Sequence, residues 1–172
     1  LWMPLRDALG EGLRDHGGIL NFASEELRSA VGTLFVPDLD RLDDLRIMLA
    51  DYFEAQPITA DTCDELPWLL LQTEMFQRLR ACLLDIDRFM IFYTRNEPDL
   101  THYWVALGEE RNLGDLYSRS YANWSVGNEH GQDLIALAAY RLGSYLSGLA
   151  FYHHAELLLR QAWASFETSL GE

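Results

Sequence analysis

Two adjacent histidines head an apolar helical pattern in the stretch YHHAELLLRQAW, Tyr152 to Trp163. Imidazole is the usual ligand for zinc and the usual proton carrier near neutral pH, so the pair is the first place to look for chemistry. Neighbouring residues on a helix point about 100° apart, whereas ligand pairs on one helix sit four residues apart. Four residues beyond His153 and His154 stand Leu157 and Leu158, and only Glu156 is a further local ligand. The spacing predicts solvated or capping histidines, with neither metal nor acid–base catalysis.

The carboxylates of DLDRLDDLR, Asp38, Asp40, Asp43 and Asp44, alternate with leucines and arginines as on a solvated helix face. The glycine and terminal glutamate of a calcium loop are missing. Cys63 and Cys82 lie apart on apolar patterns, read as structural thiols and lacking four-ligand zinc spacing. Trp68, Trp104, Trp124 and Trp163 could line a ligand groove, but at helical spacing among leucines they read as core. No Ser–His–Asp or Cys–His arrangement is readable, so no catalytic, cofactor-binding or metal-binding residue is assigned and the chain reads as a non-enzyme.

The elements that carry these residues follow from hydrophobic period. Leu5, Leu9 and Leu13 predict a helix ending at Gly17-Gly18, and ILNFA predicts a strand. Ser24 predicts an N-cap for EELRSAVGTLF, with Glu25 and Glu26 in the first turn. Beyond Pro37 the pattern is helical throughout. LDRLDDLRIMLADYF puts Leu42, Leu45, Leu49, Tyr52 and Phe53 on one face, and Pro57, Thr59 and Asp61 break it. Pro67 reads as the first residue of a helix through Leu71, followed by another from Glu74. IDRFMIFYTR reads as helix, residues 96–99 as loop with Asp99 or Thr101 capping the next helix, and SVGNEHGQ as a second loop. The final segment predicts a helix pair, Leu134–Ser147 and Tyr152–Leu170, with Gly148 near the turn.

That pair has the period of a tetratricopeptide repeat, a helix–turn–helix of about 34 residues with small residues at the crossing. Starting at Ala136, the signature positions are Leu142, Gly143, Tyr152, Ala155, Leu159 and Ala162. The turn glycine is absent, Ala150 occupying its position, and Gly148 is expected to compensate. Gly143 and Ala155 matter because larger side chains would hold the helices beyond interlocking distance. The second helix carries more apolar residues than one stripe: Leu157, Leu158, Leu159, Trp163 and Phe166. The surplus predicts a protein-binding or self-associating face at Trp163 and Phe166, with a groove edge at Tyr140, Ser144 and Ser147 for a peptide.

The order of segments resembles the C-terminal half of a STAND-type NTPase with tetratricopeptide repeats, of the nephrocystin-like kind. GGILNFASEELRSAV resembles the end of a winged helix, LADYF and DELPW the helical linker after it, and YWVALGE with the final helix pair the entry to the repeats. The resemblance implies a mainly α fold, a bundle or α-solenoid with a short α+β winged-helix remnant. It implies segments at 1–36, 37–130 and 131–172. Where such proteins carry a nucleotide-sensing histidine, this chain has Ser24, and no GxxxxGK[ST] occurs.

Composition bounds the partners. The 172 residues include 13 basic against 27 acidic side chains, a net charge of −14, and every basic residue is arginine. Such a surface repels phosphate backbones, excluding nucleic acid, and no apolar run is long enough to span a membrane. The first residue, Leu1, suggests a segment of a longer chain. The expectation is a cytoplasmic, non-catalytic protein-interaction and regulatory segment needing no cofactor. The alternative is a helical domain holding a small ligand in an aromatic-lined cavity, and a third reading makes the histidines catalytic.

Overall fold

A computed structural model describes residues 12–16, 19–36, 38–126 and 131–170. The chain divides into two units, Leu1–Leu45 and Arg46–Glu172.

In the first unit β1 (Leu13–His16) and β2 (Ile19–Phe22) pair antiparallel, Leu13 opposite Phe22 and His16 opposite Ile19. The expected helix through Leu13 is therefore wrong at its C-terminal end, where the backbone groups of Leu13–His16 serve the ladder of β2. Leu5 and Leu9 lie outside the described residues. Helix α1 (Glu25–Phe35) begins as read: the Ser24 hydroxyl accepts from the Leu27 N–H at 3.2 Å. Helix α2 (Leu39–Glu54) runs across the division between the units. Its first turn is capped by Asp38, which accepts from the Arg41 N–H at 2.7 Å. One of the four aspartates thus has a structural task.

The second unit is helical throughout its described residues. In α2 the buried stripe is Ala50 with Phe53 half-buried; Leu49 and Tyr52, expected on the inner face, are exposed. Asp51 and Glu54 instead hold Arg78, at 2.7 and 2.8 Å, and Arg46 lies over the Trp68 ring. Helix α3 (Ala60–Gln72) starts seven residues before Pro67, at a reciprocal cap between Thr59 and Thr62. Pro67 is a buried interior residue and not a helix start. Glu74, in the left-handed region at φ 54, cannot open a helix, and α4 spans Phe76–Leu84.

Helix α5 (Ile86–Arg95) is capped by Asp85. Helix α6 (Glu97–Leu107) begins inside the expected 96–99 loop, with Pro98 in the first turn, where a missing N–H is harmless. A 3₁₀ turn (Glu110–Asn112) leads into α7 (Leu113–Val126). The pair α8 (Gln132–Gly148) and α9 (Tyr152–Leu170) completes the unit.

Its core is aromatic. Phe89, Trp104, Tyr117 and Tyr145, from four helices, pack with ring centroids 5.2–5.9 Å apart. Their polar tips are satisfied in series: Trp104 Nε1 donates to the Tyr117 hydroxyl at 3.0 Å, which donates to the Leu83 carbonyl at 3.1 Å. Tyr145 and Thr101 share a hydroxyl–hydroxyl bond at 3.2 Å, and Arg141 donates to the Met90 carbonyl. Among the described residues no helix is long and apolar enough to cross a membrane.

Candidate interaction face

The α8–α9 pair is built on small residues. Ala139, Leu142 and Leu146 of α8 and Ala155, Leu158 and Ala162 of α9 are buried. A Cβ placed on Gly143 would meet Leu159 Cγ at 2.7 Å and the Ala155 carbonyl oxygen at 3.2 Å. The backbones cross so closely here that only glycine fits. The turn between the helices is made by Ala150 itself, at φ 66. Gly148 is not in the left-handed region, so the expected compensation by Gly148 does not occur.

On the outer side of the crossing, Tyr140 is exposed with Ser144 and Ser147 half-buried beside it. From α9, Tyr152 and Trp163 stand 69% and 67% exposed. Between them lies a groove of about 600 Å³, lined by Ser147, Tyr152, Ala155, Leu159 and Trp163 together with Glu156 and Arg160.

 Those two form an ion pair at 2.7 Å within the groove. The expected apolar surplus is thus divided. Leu158 is buried, and Phe166 is half-buried against the core. Leu157 lies exposed on another side of α9, beside Tyr121 and Ser125 of α7, and of the expected surplus Leu159 and Trp163 line the groove.

The two histidines part company. His153 is exposed, while His154 Nε2 lies 3.1 Å from Asp115 Oδ1, tying α9 to α7. The His154 ring packs so closely on Gly114 that a Cβ there would stand 2.4 Å from Nδ1. His154 is therefore a packing device and not a merely solvated side chain. The signal for it was Gly114, a glycine within an otherwise helical run. Among the described residues no group of three or more His, Cys, Asp or Glu side chains is placed to hold a metal.

Both thiols are buried and free. Burial pushes Cys63 up to about 11 and Cys82 up to about 12, against the opposing pull of the Arg88 guanidinium. Neither is a nucleophile at neutral pH. Of the tryptophans read as core, Trp104 is fully buried, whereas Trp68 and Trp163 are exposed. The rings of Phe89, Trp104, Tyr117 and Tyr145 pack on one another, while Phe92 and Tyr103 line a separate cavity of about 540 Å³ with Cys63, Asp64 and Arg95.

Helices joined in sequence and closely crossed at small residues define a mainly helical bundle or solenoid. Over 161 residues, 89% of the chain, the sequence is 27% identical to nephrocystin-3 of Mus musculus and over the same length 26% identical to nephrocystin-3 of Homo sapiens. The chain spans about 12% of the length of these curated relatives. The similarity supports the nephrocystin-like resemblance read from the sequence. No family model and no solved structure matches the chain.

Proposed function

We propose that the chain is a non-catalytic protein-interaction and regulatory segment of a larger multidomain protein, acting through the outer face of the α8–α9 pair. The observation that carries this reading is Trp163, 67% exposed at the head of a groove on a helix pair whose crossing residues Leu142, Ala155 and Leu158 are buried. In helical repeats each unit covers its apolar side with a neighbour, and an uncovered one takes a partner. The occupant is a protein surface or peptide, or a second copy of the chain. The β1–β2 hairpin with α1 belongs, in this reading, to the end of a winged helix, and any NTPase chemistry of the parent protein lies outside these residues. A cytoplasmic location fits the two free thiols.

Light scattering across a dilution series, together with acrylamide quenching of the fluorescence that Trp163→Phe removes, tests the face. Free Trp163 in the dilute monomer, protected when copies or a partner associate, is the expected result. If Trp163 is shielded in a species that stays monomeric at every concentration, the face is already covered and the reading is wrong.

A further inference from the structure

A second cavity shares no residue with the groove beside Trp163. It holds about 440 Å³ between the C-terminal half of α6, the 3₁₀ turn and the α8–α9 turn. Its walls are Val105, Leu149 and Phe151, with Val105 57% exposed at the mouth. Three polar side chains reach it. The Thr101 hydroxyl is already engaged by Tyr145. Arg111 is exposed at the rim and makes no ion pair among the described residues. Glu110 lines the cavity with its Oε2 atom buried and without a hydrogen-bond partner among the described residues.

The Glu110 carboxylate thus stands in the cavity wall with hydrogen-bonding capacity to spare, which a donor entering the cavity would use. The neighbouring guanidinium of Arg111 does not supply that donor. A cation with a long apolar stem fits both the carboxylate and the aliphatic and aromatic walls, as arginine and lysine side chains do when their stems lie along apolar surface. The open mouth at Val105 leaves room for an apolar neighbour of that cation. The net charge of −14, without a single lysine, draws basic partners to the molecule. We propose that this cavity is a docking site for a partner-protein segment that presents a basic side chain next to an apolar one, the cation pairing with Glu110.

The test uses acetyl-leucyl-arginine amide and its uncharged counterpart acetyl-leucyl-citrulline amide, titrated into the whole chain while the methyl resonances of Val105 and Leu149 are followed. The expected result is a saturable shift with the arginine peptide. The citrulline peptide should bind at least about tenfold more weakly, and Glu110→Gln should abolish that difference. Equal affinity of the two peptides, or a preference that survives Glu110→Gln, overturns the proposal. So does equally tight binding of argininamide alone, which would mark a site for a small free cation. If Glu110→Gln does not fold, the citrulline comparison on the unaltered chain decides. A double-mutant cycle closes the remaining route: strongly coupled losses of thermal stability in Glu110→Gln and Arg111→Ala would mean that the two side chains satisfy each other in solution, and the site would fall.

Discussion

Ala150 carries the turn of the helix pair in a backbone conformation that L-residues with a Cβ seldom take, φ 66. The Phe151 N–H bonds to the Leu146 carbonyl and the Ala150 N–H to that of Ser147, so the turn is closed by hydrogen bonds that demand this dihedral. A left-handed alanine costs roughly 1–2 kcal/mol, part of which glycine returns as backbone entropy in the unfolded chain. Ala150→Gly is expected to raise stability by about 1 kcal/mol in urea unfolding. A loss of stability would show that the alanine methyl makes a contact worth more than the strain. That the turn needed a glycine was legible in the sequence; that Ala150 would adopt the strained dihedral, leaving Gly148 helical, was not, because a side-chain pattern carries no backbone angle.

The helices α8 and α9 interlock because Gly143 and Ala155 remove bulk at the crossing, while His154 adds a weaker tie to α7 through Asp115. Ala155→Leu is expected to cost about 1–3 kcal/mol by overpacking. His153→Ala should stay within about 0.5 kcal/mol, being an exposed change. His154→Ala should cost more than His153→Ala, since it loses the packing on Gly114 as well as the bond to Asp115. Differential scanning calorimetry of the three variants orders them. Equal melting shifts for Ala155→Leu and His153→Ala would reject the close crossing, and equal shifts for the two histidine variants would reject the clamp. The small residues of this pair were readable from their spacing, since a repeat imposes it locally. The clamp was not, since Gly114 and His154 are 40 positions apart in the chain.

For the whole molecule, a set of buried acids sets the response to alkali. Burial pushes Cys82, Tyr103 and Tyr145 up to about 12 and Cys63 up to about 11, and Tyr117, enclosed among rings, well above the ordinary phenol range. Each folded pKa is higher than the unfolded one, so the folded chain holds the proton longer. The stability this represents is complete below the unfolded thiol pKa of about 8.5 and is lost as pH rises toward about 12. The urea midpoint is expected to fall steadily from about pH 9 upward, and both thiols to resist a disulfide reagent at about pH 8 until the chain unfolds. A midpoint unchanged between about pH 8 and 10.5, or rapid thiol labelling of the native chain, would contradict the buried aromatic and thiol core.

The amino-acid pattern by itself determined the helical class, the ILNFA strand, the Ser24 cap and the spacing of the final pair, because hydrophobic period and capping act over a few residues. It misplaced the start of α3 at Pro67, since proline suits a first turn on its own and only the Thr59–Thr62 cap upstream moves it into the interior. It also drew the inner face of α2 partly wrong: Leu42, Leu45 and Phe53 are half-buried as expected, but Leu49 and Tyr52 are exposed. Leu49 and Tyr52 carry more apolar surface than Ala50, yet which stripe is buried depends on the helices it meets. The exposed Trp163 and the Glu110 oxygen without a partner among the described residues were likewise decided only by tertiary structure: burial and hydrogen-bond partners are supplied by segments distant in the chain, and no local pattern encodes them.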